Sequence, residues 1–130
     1  MAAGLSATKA NEFLNNLGNA GSVTSVTAIY AKLHLGDPGA AGATSAAAET
    51  DRVAISFGAA SAGSMSNDAA VTWTAVAASE TVTHVSFWDH ATAGTFLGSD
   101  ALATSRALVA GDDAEFAIGA LTMSITPLAA

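Results

Sequence analysis

Cysteine is absent from the 130-residue chain. That excludes a disulfide framework and a thiolate metal site. Positive charge is nearly absent too: 4 Lys and Arg residues stand against 11 Asp and Glu, a net charge of −7. Nucleic-acid binders neutralise phosphates with clustered Lys and Arg. Lys9, Lys32, Arg52 and Arg106 are scattered along the chain. Neither nucleic acid nor an anionic membrane surface is therefore an expected partner. Charged residues make up only 12% of the chain, about half the usual share. The strong apolar periodicity and low charge do not suit a disordered tail. No apolar run approaches the roughly 20 residues that span a bilayer. Met1 to Phe13 lacks the basic and apolar regions of a secretory signal. The expectation is a soluble chain, made in a cytoplasm, with one modest core.

What is present falls into two periodicities. Ser6 is a cap candidate, Ala10, Phe13, Leu14 and Leu17 recur at helical spacing, and Gly18 is a stop. This predicts one helix over 7–17 with a single apolar stripe. Either the stripe covers the end of the chain's own core, or it belongs to an arm that docks on a neighbouring subunit. Beyond Gly21 the period becomes two. Seven segments alternate as strands do: "TAIYAKLHL", "RVAISF", "AVTWTAV", "TVTHVSFWD", "GTFLGSDALA", "AEFAI" and "LTMSIT". In the first, Tyr30, Lys32 and His34 form the wet face. The fourth carries apolar residues on both faces, so it is expected to be covered on both. The fifth is weakened by Gly98.

Val53, Ile55, Phe57, Val71, Trp73, Val85, Phe87, Phe116, Leu121, Met123 and Ile125 make up the expected core. Turn chemistry at 36–39, 63–68, 89–94 and 111–113 separates the strands. The expected fold is mostly β: an antiparallel β-sandwich or barrel-like domain of about seven short strands after one short N-terminal α-helix. The expected division is a helical arm over 1–20 and an antiparallel β domain over 21–130.

Tests for chemistry fail one by one. His84, Asp89 and His90 form the only local metal-ligand group, and their spacing matches no ligand pattern. No nucleophile elbow surrounds any serine. The carboxylate pairs Glu49 with Asp51 and Asp112 with Asp113 lie in turn-rich segments, where they more often shape turns than catalyse or hold calcium. "GAAGATS" lacks the lysine of a phosphate loop. No catalytic residue, cofactor or metal is expected.

The stretch from Gly36 to Thr50 is almost pure Ala, Gly, Ser and Thr around Asp37-Pro38-Gly39. Its length is the limit at which structureless loops are functional or disordered. The reading is a contact surface that orders against neighbours, with few large side chains to hold it down alone. The other reading is a mobile solvent loop. Phe13, Leu14, Leu17, Asp37, Pro38 and Gly39 are the candidate assembly contacts.

Four phrases carry a resemblance: "LHLGDPGAAG", "ETDRVAISFGAAS", "NDAAVTWTAVAASETVTHVSFWDHATAGTFLGSDAL" and "AGDDAEFAIGALTMSI". Across residues 29–126 the chain resembles a family of small structural proteins of tailed-bacteriophage virions, described as capsid decoration, minor capsid or tail-fibre-like. The resemblance implies a non-enzymatic protein on the capsid surface. Its partners would be the major capsid protein and copies of itself, in a symmetric oligomer such as a trimer. A tail or tail-fibre component is the alternative. A carbohydrate-binding module using Tyr30, Trp73 and Trp88 is the second, weakened because the alternation places Trp73 in the core.

Overall fold

A computed structural model describes residues 4–125. The described chain runs β1 (Gly4–Leu5), α1 (Ala7–Leu17), β2 (Ile29–His34), β3 (Val53–Ile55), β4 (Ser64–Ser66), β5 (Val71–Trp73), β6 (Thr81–Trp88), β7 (Phe96–Ala107), β8 (Ala114–Phe116) and β9 (Thr122–Ser124). A five-stranded antiparallel sheet has the order β1-β7-β6-β2-β3, and two ribbons pair β4 with β9 and β5 with β8. The core lies between the sheet's inner face and the ribbons. Ala31 and Leu33 of β2 and Val85 and Phe87 of β6 meet Val71, Trp73, Phe116, Leu121 and Met123 there. The arrangement is mostly β, with no closed barrel.

β6 is the central element because it is apolar at both parities. Val85 and Phe87 face the core, while Ser86 on the other face is equally buried. A bulge between Val82 and His84 shifts the register and places Val82 in the core as well. The ribbons are tied to each other by Asn67. Its side-chain amide donates to Ala69 O and Ala117 O, and its Oδ1 accepts the Leu121 N–H at 2.9 Å. A buried amide with every group satisfied fixes one geometry for the two segments it joins.

The helix bounds agree with the expected 7–17, and the seven expected strands all appear. Several expectations need correction. β1 and β4 are additional strands, and β4 falls inside the expected turn at 63–68. β7 runs unbroken past Gly98, which is where β1 crosses: a Cβ there would stand 2.4 Å from Gly4 O. Val53 and Phe57 are half-buried, and Ile125 is 53% exposed because β9 ends one residue earlier. His34, expected on a wet face, is fully buried. The last residues of the expected strand and of the 21–130 domain, 126–130, lie outside the described residues, as do residues 1–3 of the arm.

Candidate assembly surface

The arm is rooted firmly and free at its tip. β1 pairs with Ser99 and Gly98 of β7, and the Ser6 N–H donates to Leu97 O at 2.8 Å. Ser6 caps α1 by accepting the Lys9 N–H on its hydroxyl. At the far end the Gly18 N–H closes on Leu14 O. Lys9 is 6% exposed, and its ammonium donates to Glu12 at 2.8 Å and to Thr24 O at 3.3 Å. Glu12 in turn accepts the Thr24 N–H. This clamp ties the helix to the segment returning toward β2. The Lys9 hydrogen bond holds the Glu12 carboxyl below the usual carboxylate range.

Beyond the clamp Phe13 borders a groove, and the rest of the apolar stripe is largely uncovered by its own chain. Phe13 is 39%, Leu14 64% and Leu17 84% exposed. The helix therefore meets the end of the core only through Phe13 and leaves Leu14 and Leu17 exposed. Between the arm and the β4–β9 ribbon runs a groove of about 310 Å³, walled by Leu5, Phe13, Val26, Met65, Met123 and Ile125. Its walls are apolar side chains from both sides, with Lys9 the charged group among them.

The Gly36–Thr50 loop is held by its own backbone, a correction to the expectation that little would hold it. Leu35 N–H donates to Ser45 O, Ala47 N–H to Leu33 O, and Thr44 N–H to Pro38 O. Asp37 Oδ1 accepts the Gly39 N–H at 2.8 Å, an Asx-turn bond that also holds the Asp37 carboxyl below its ordinary range. Gly42, at φ +72°, leaves room for the Phe96 ring, which a Cβ would meet at 2.5 Å. The loop thus lies on the outer face of the five-stranded sheet. Among the candidate contacts there, the Pro38 side chain is buried within the chain itself, while Asp37 and Gly39 are half-buried. The structure does not bring 37–39 together with the helix stripe in any contact it records.

Beneath the loop lies a polar relay that sequence patterning did not reveal. His34 Nδ1 is 2.9 Å from Thr44 O, and its Nε2 is 2.7 Å from Ser86 Oγ. A carbonyl only accepts, so Nδ1 carries the proton and Nε2 accepts from the Ser86 hydroxyl. Trp88 Nε1–H donates to the same Ser86 Oγ at 2.8 Å. A serine beside a histidine resembles a nucleophile and its base. Here both are sealed from solvent, and the ring's other nitrogen holds a backbone carbonyl. The pair has no route to a substrate.

The remaining candidates are spent on architecture. Asp89 accepts from the Thr95 N–H and sits 2.7 Å from His90 Nδ1, forming the β6–β7 turn. No group of three or more His, Asp or Glu residues able to hold a metal occurs among the described residues. Glu49 accepts the Ala77 and Asp51 N–H groups, and Asp113 accepts the Ala75 N–H. These carboxylates staple loops. Trp73 is 1% exposed, donates to Asp51 O and meets the Phe116 ring edge-on at 5.5 Å. It cannot join Tyr30 and Trp88 in a sugar-stacking platform. The Trp88 ring is itself covered by the Arg52 guanidinium at 4.1 Å.

Cations follow the same pattern. Lys9 is clamped, Arg52 donates to His90 O and Ala93 O, and Arg106 donates to Glu115 O. No helix among the described residues is long and apolar enough to cross a membrane. A family model described as "Podophage GP4 fiber I protein gp80" matches residues 4–124. No curated protein matches the chain.

Proposed function

Since the chain belongs to the podophage GP4 fiber I protein gp80 family, we propose that it acts by assembly, as a subunit added to a tailed-phage virion through its N-terminal arm. The family match makes it a phage structural protein. The observation that carries the assembly reading is the helix stripe. Leu14 and Leu17 are exposed on a rooted helix that leaves them no partner in their own chain. An exposed apolar stripe beside an apolar groove marks a protein contact rather than a catalytic centre.

Copies of the chain are one proposed partner. Leu14 and Leu17 are not among the walls of the groove that Phe13 borders, so insertion of one copy's Leu14 and Leu17 into another copy's groove would be a head-to-tail contact. Such a contact closes into a ring or continues as a filament. The second proposed partner is the particle itself. Two positions fit: a fibre, as the family's description has it, and the outer surface of the major capsid lattice, as the phrase-level resemblance implies. No catalytic role is proposed, because the His34–Ser86 pair is buried and Glu49, Asp89 and Asp113 hold loops.

Purified virions, probed with gold-labelled antibody and by quantitative mass spectrometry, test this reading. The chain should be present in the particle. Few copies at the tail place it in a fibre, and many copies over the head place it on the capsid. Absence from purified particles overturns the assignment.

A further inference from the structure

We propose that the groove beside the arm is filled by the helix tip of a second copy of this chain, two copies inserting their tips reciprocally across a two-fold axis. The proposal rests on the assembly reading above and names the partner. Position carries it. Lys9, Phe13 and Leu17 are spaced by four residues and so form one row on α1. Lys9 and Phe13 border the groove, and Leu17 continues the row past its end, largely exposed. Leu14 lies one turn before Leu17 and is exposed with it. Each arm therefore carries a knob and a socket side by side along one helix.

That adjacency selects the antiparallel pair. Phe13 and Leu17 stand about 6 Å apart along the helix axis. When a second helix runs antiparallel and crosses midway between them, each Leu17 comes level with the other copy's Phe13, at its groove. One crossing makes both insertions. A parallel approach makes one and leaves the other knob bare. Leu14 falls within one residue of the crossing and meets its own counterpart. A single insertion, left unreciprocated, is the head-to-tail contact; the reciprocal pair is isologous and closes at two copies.

Charge and area favour a copy of this chain as the occupant. At a net charge of −7, copies repel one another in general. The tip, Phe13 to Leu17, carries no charge. Lys9 on the groove wall is already paired with Glu12 at 2.8 Å. An uncharged tip and an apolar socket are therefore where two acidic copies meet with least repulsion. Phe13, Leu14, Leu17, Val26 and Ile125 together expose on the order of 500 Å² of apolar surface, a patch of the size that is often functional. Two such patches in contact remove on the order of 1,000 Å², the lower bound of a specific interface. The pair is therefore weak. Dilute protein is monomeric with its arm bare, and copies held close together on a particle pair.

Sedimentation of the purified protein from about 10 μM to about 1 mM, a range that spans weak association, tests the pair. The mass should rise from monomer toward dimer and stop there. Leu17→Lys should weaken pairing at least about tenfold, because it buries a charge beside Lys9. It keeps the helix, since a cation suits a helix C-terminus. It also lowers the net negative charge, so general repulsion does not explain a loss. The chain has no cysteine, so Leu14→Cys reports the crossing alone. Under mild oxidation it should form a disulfide-linked dimer much faster than Val109→Cys, an exposed site at the far end of β7 from the arm. Monomer throughout the range, growth beyond two copies, a dimer that Leu17→Lys leaves intact, or equal oxidation of the two cysteine variants overturns the pair. If the arm is covered on the particle in spite of that, its occupant is another virion protein, and the assembly reading stands while this proposal fails. Pairing in solution with the chain absent from particles supports the pair and overturns the assembly reading alone.

Discussion

Phe87→Ala should destabilise the protein by about 3–5 kcal/mol, the usual cost of truncating a buried aromatic. Phe87 is fully buried on the central strand, and the Phe57 ring meets it edge-on at 5.4 Å. Its neighbours across β6 are Ala31 on one side and Gly98 on the other, so no cross-strand side chain is large enough to fill the space. Gly98 is itself fixed by the crossing of β1. The cavity would therefore persist rather than collapse, which places the loss toward the upper part of the range. Equilibrium denaturation with chemical denaturant reads it directly. A loss below about 1 kcal/mol would mean that the ring does not face the core, as a register slip of one residue would require.

Glu49→Ala should cost about 2–4 kcal/mol, with roughly half of that lost in Glu49→Gln. The carboxylate is 6% exposed and accepts the Ala77 N–H at 2.9 Å and the Asp51 N–H at 3.1 Å. Glu80 accepts the Ala48 and Glu49 N–H groups from the other side. The two acids thus satisfy four backbone donors that no strand pairs. Removing Glu49 leaves two of them without an acceptor. It also loosens Asp51, whose carbonyl holds the Trp73 indole at 2.9 Å. Gln keeps one side-chain oxygen and so one of the two bonds. Denaturant melts of both variants check the order, and equal stability of Glu49→Ala and the parent would show that water replaces the carboxylate freely.

The parts of the fold legible in the sequence are those written in side-chain alternation. β6 was expected to be covered on both faces because Val82 and Trp88 break the polar parity that Val85 and Phe87 establish. The structure buries Val82, Ser86 and Phe87 together. β1 and β4 were not legible, since Gly4–Leu5 and Ser64–Ser66 are too short and too small to carry a period. Gly98 reads as a breaker, whereas its role is to let another backbone approach. Ile125 continues the parity of Leu121 and Met123, but the strand ends before it, and the side chain faces the groove instead.

The loop misled for a related reason. Ala, Gly, Ser and Thr offer little side-chain burial, and composition does not report the backbone bonds that hold 35–47. Because that loop covers the outer face, His34 is buried although its parity is that of a wet strand face. The helix stripe was legible as a pattern. Which of its two readings holds depends on where the chain turns after Ser6, and only the fold decides that.

Hydrogen exchange of the arm, compared between free protein and intact particle, tests the assembly account most directly. An 11-residue helix is marginal by its own bonds, and the Leu14 and Leu17 side chains stand 64% and 84% exposed. In free protein at neutral pH the amides of 13–17 should exchange fast while the β6 amides stay protected. On the particle the arm should become protected, because a neighbour covers Leu14 and Leu17. Equal exchange of the arm in both states, with β6 protected in each, would contradict assembly through the arm.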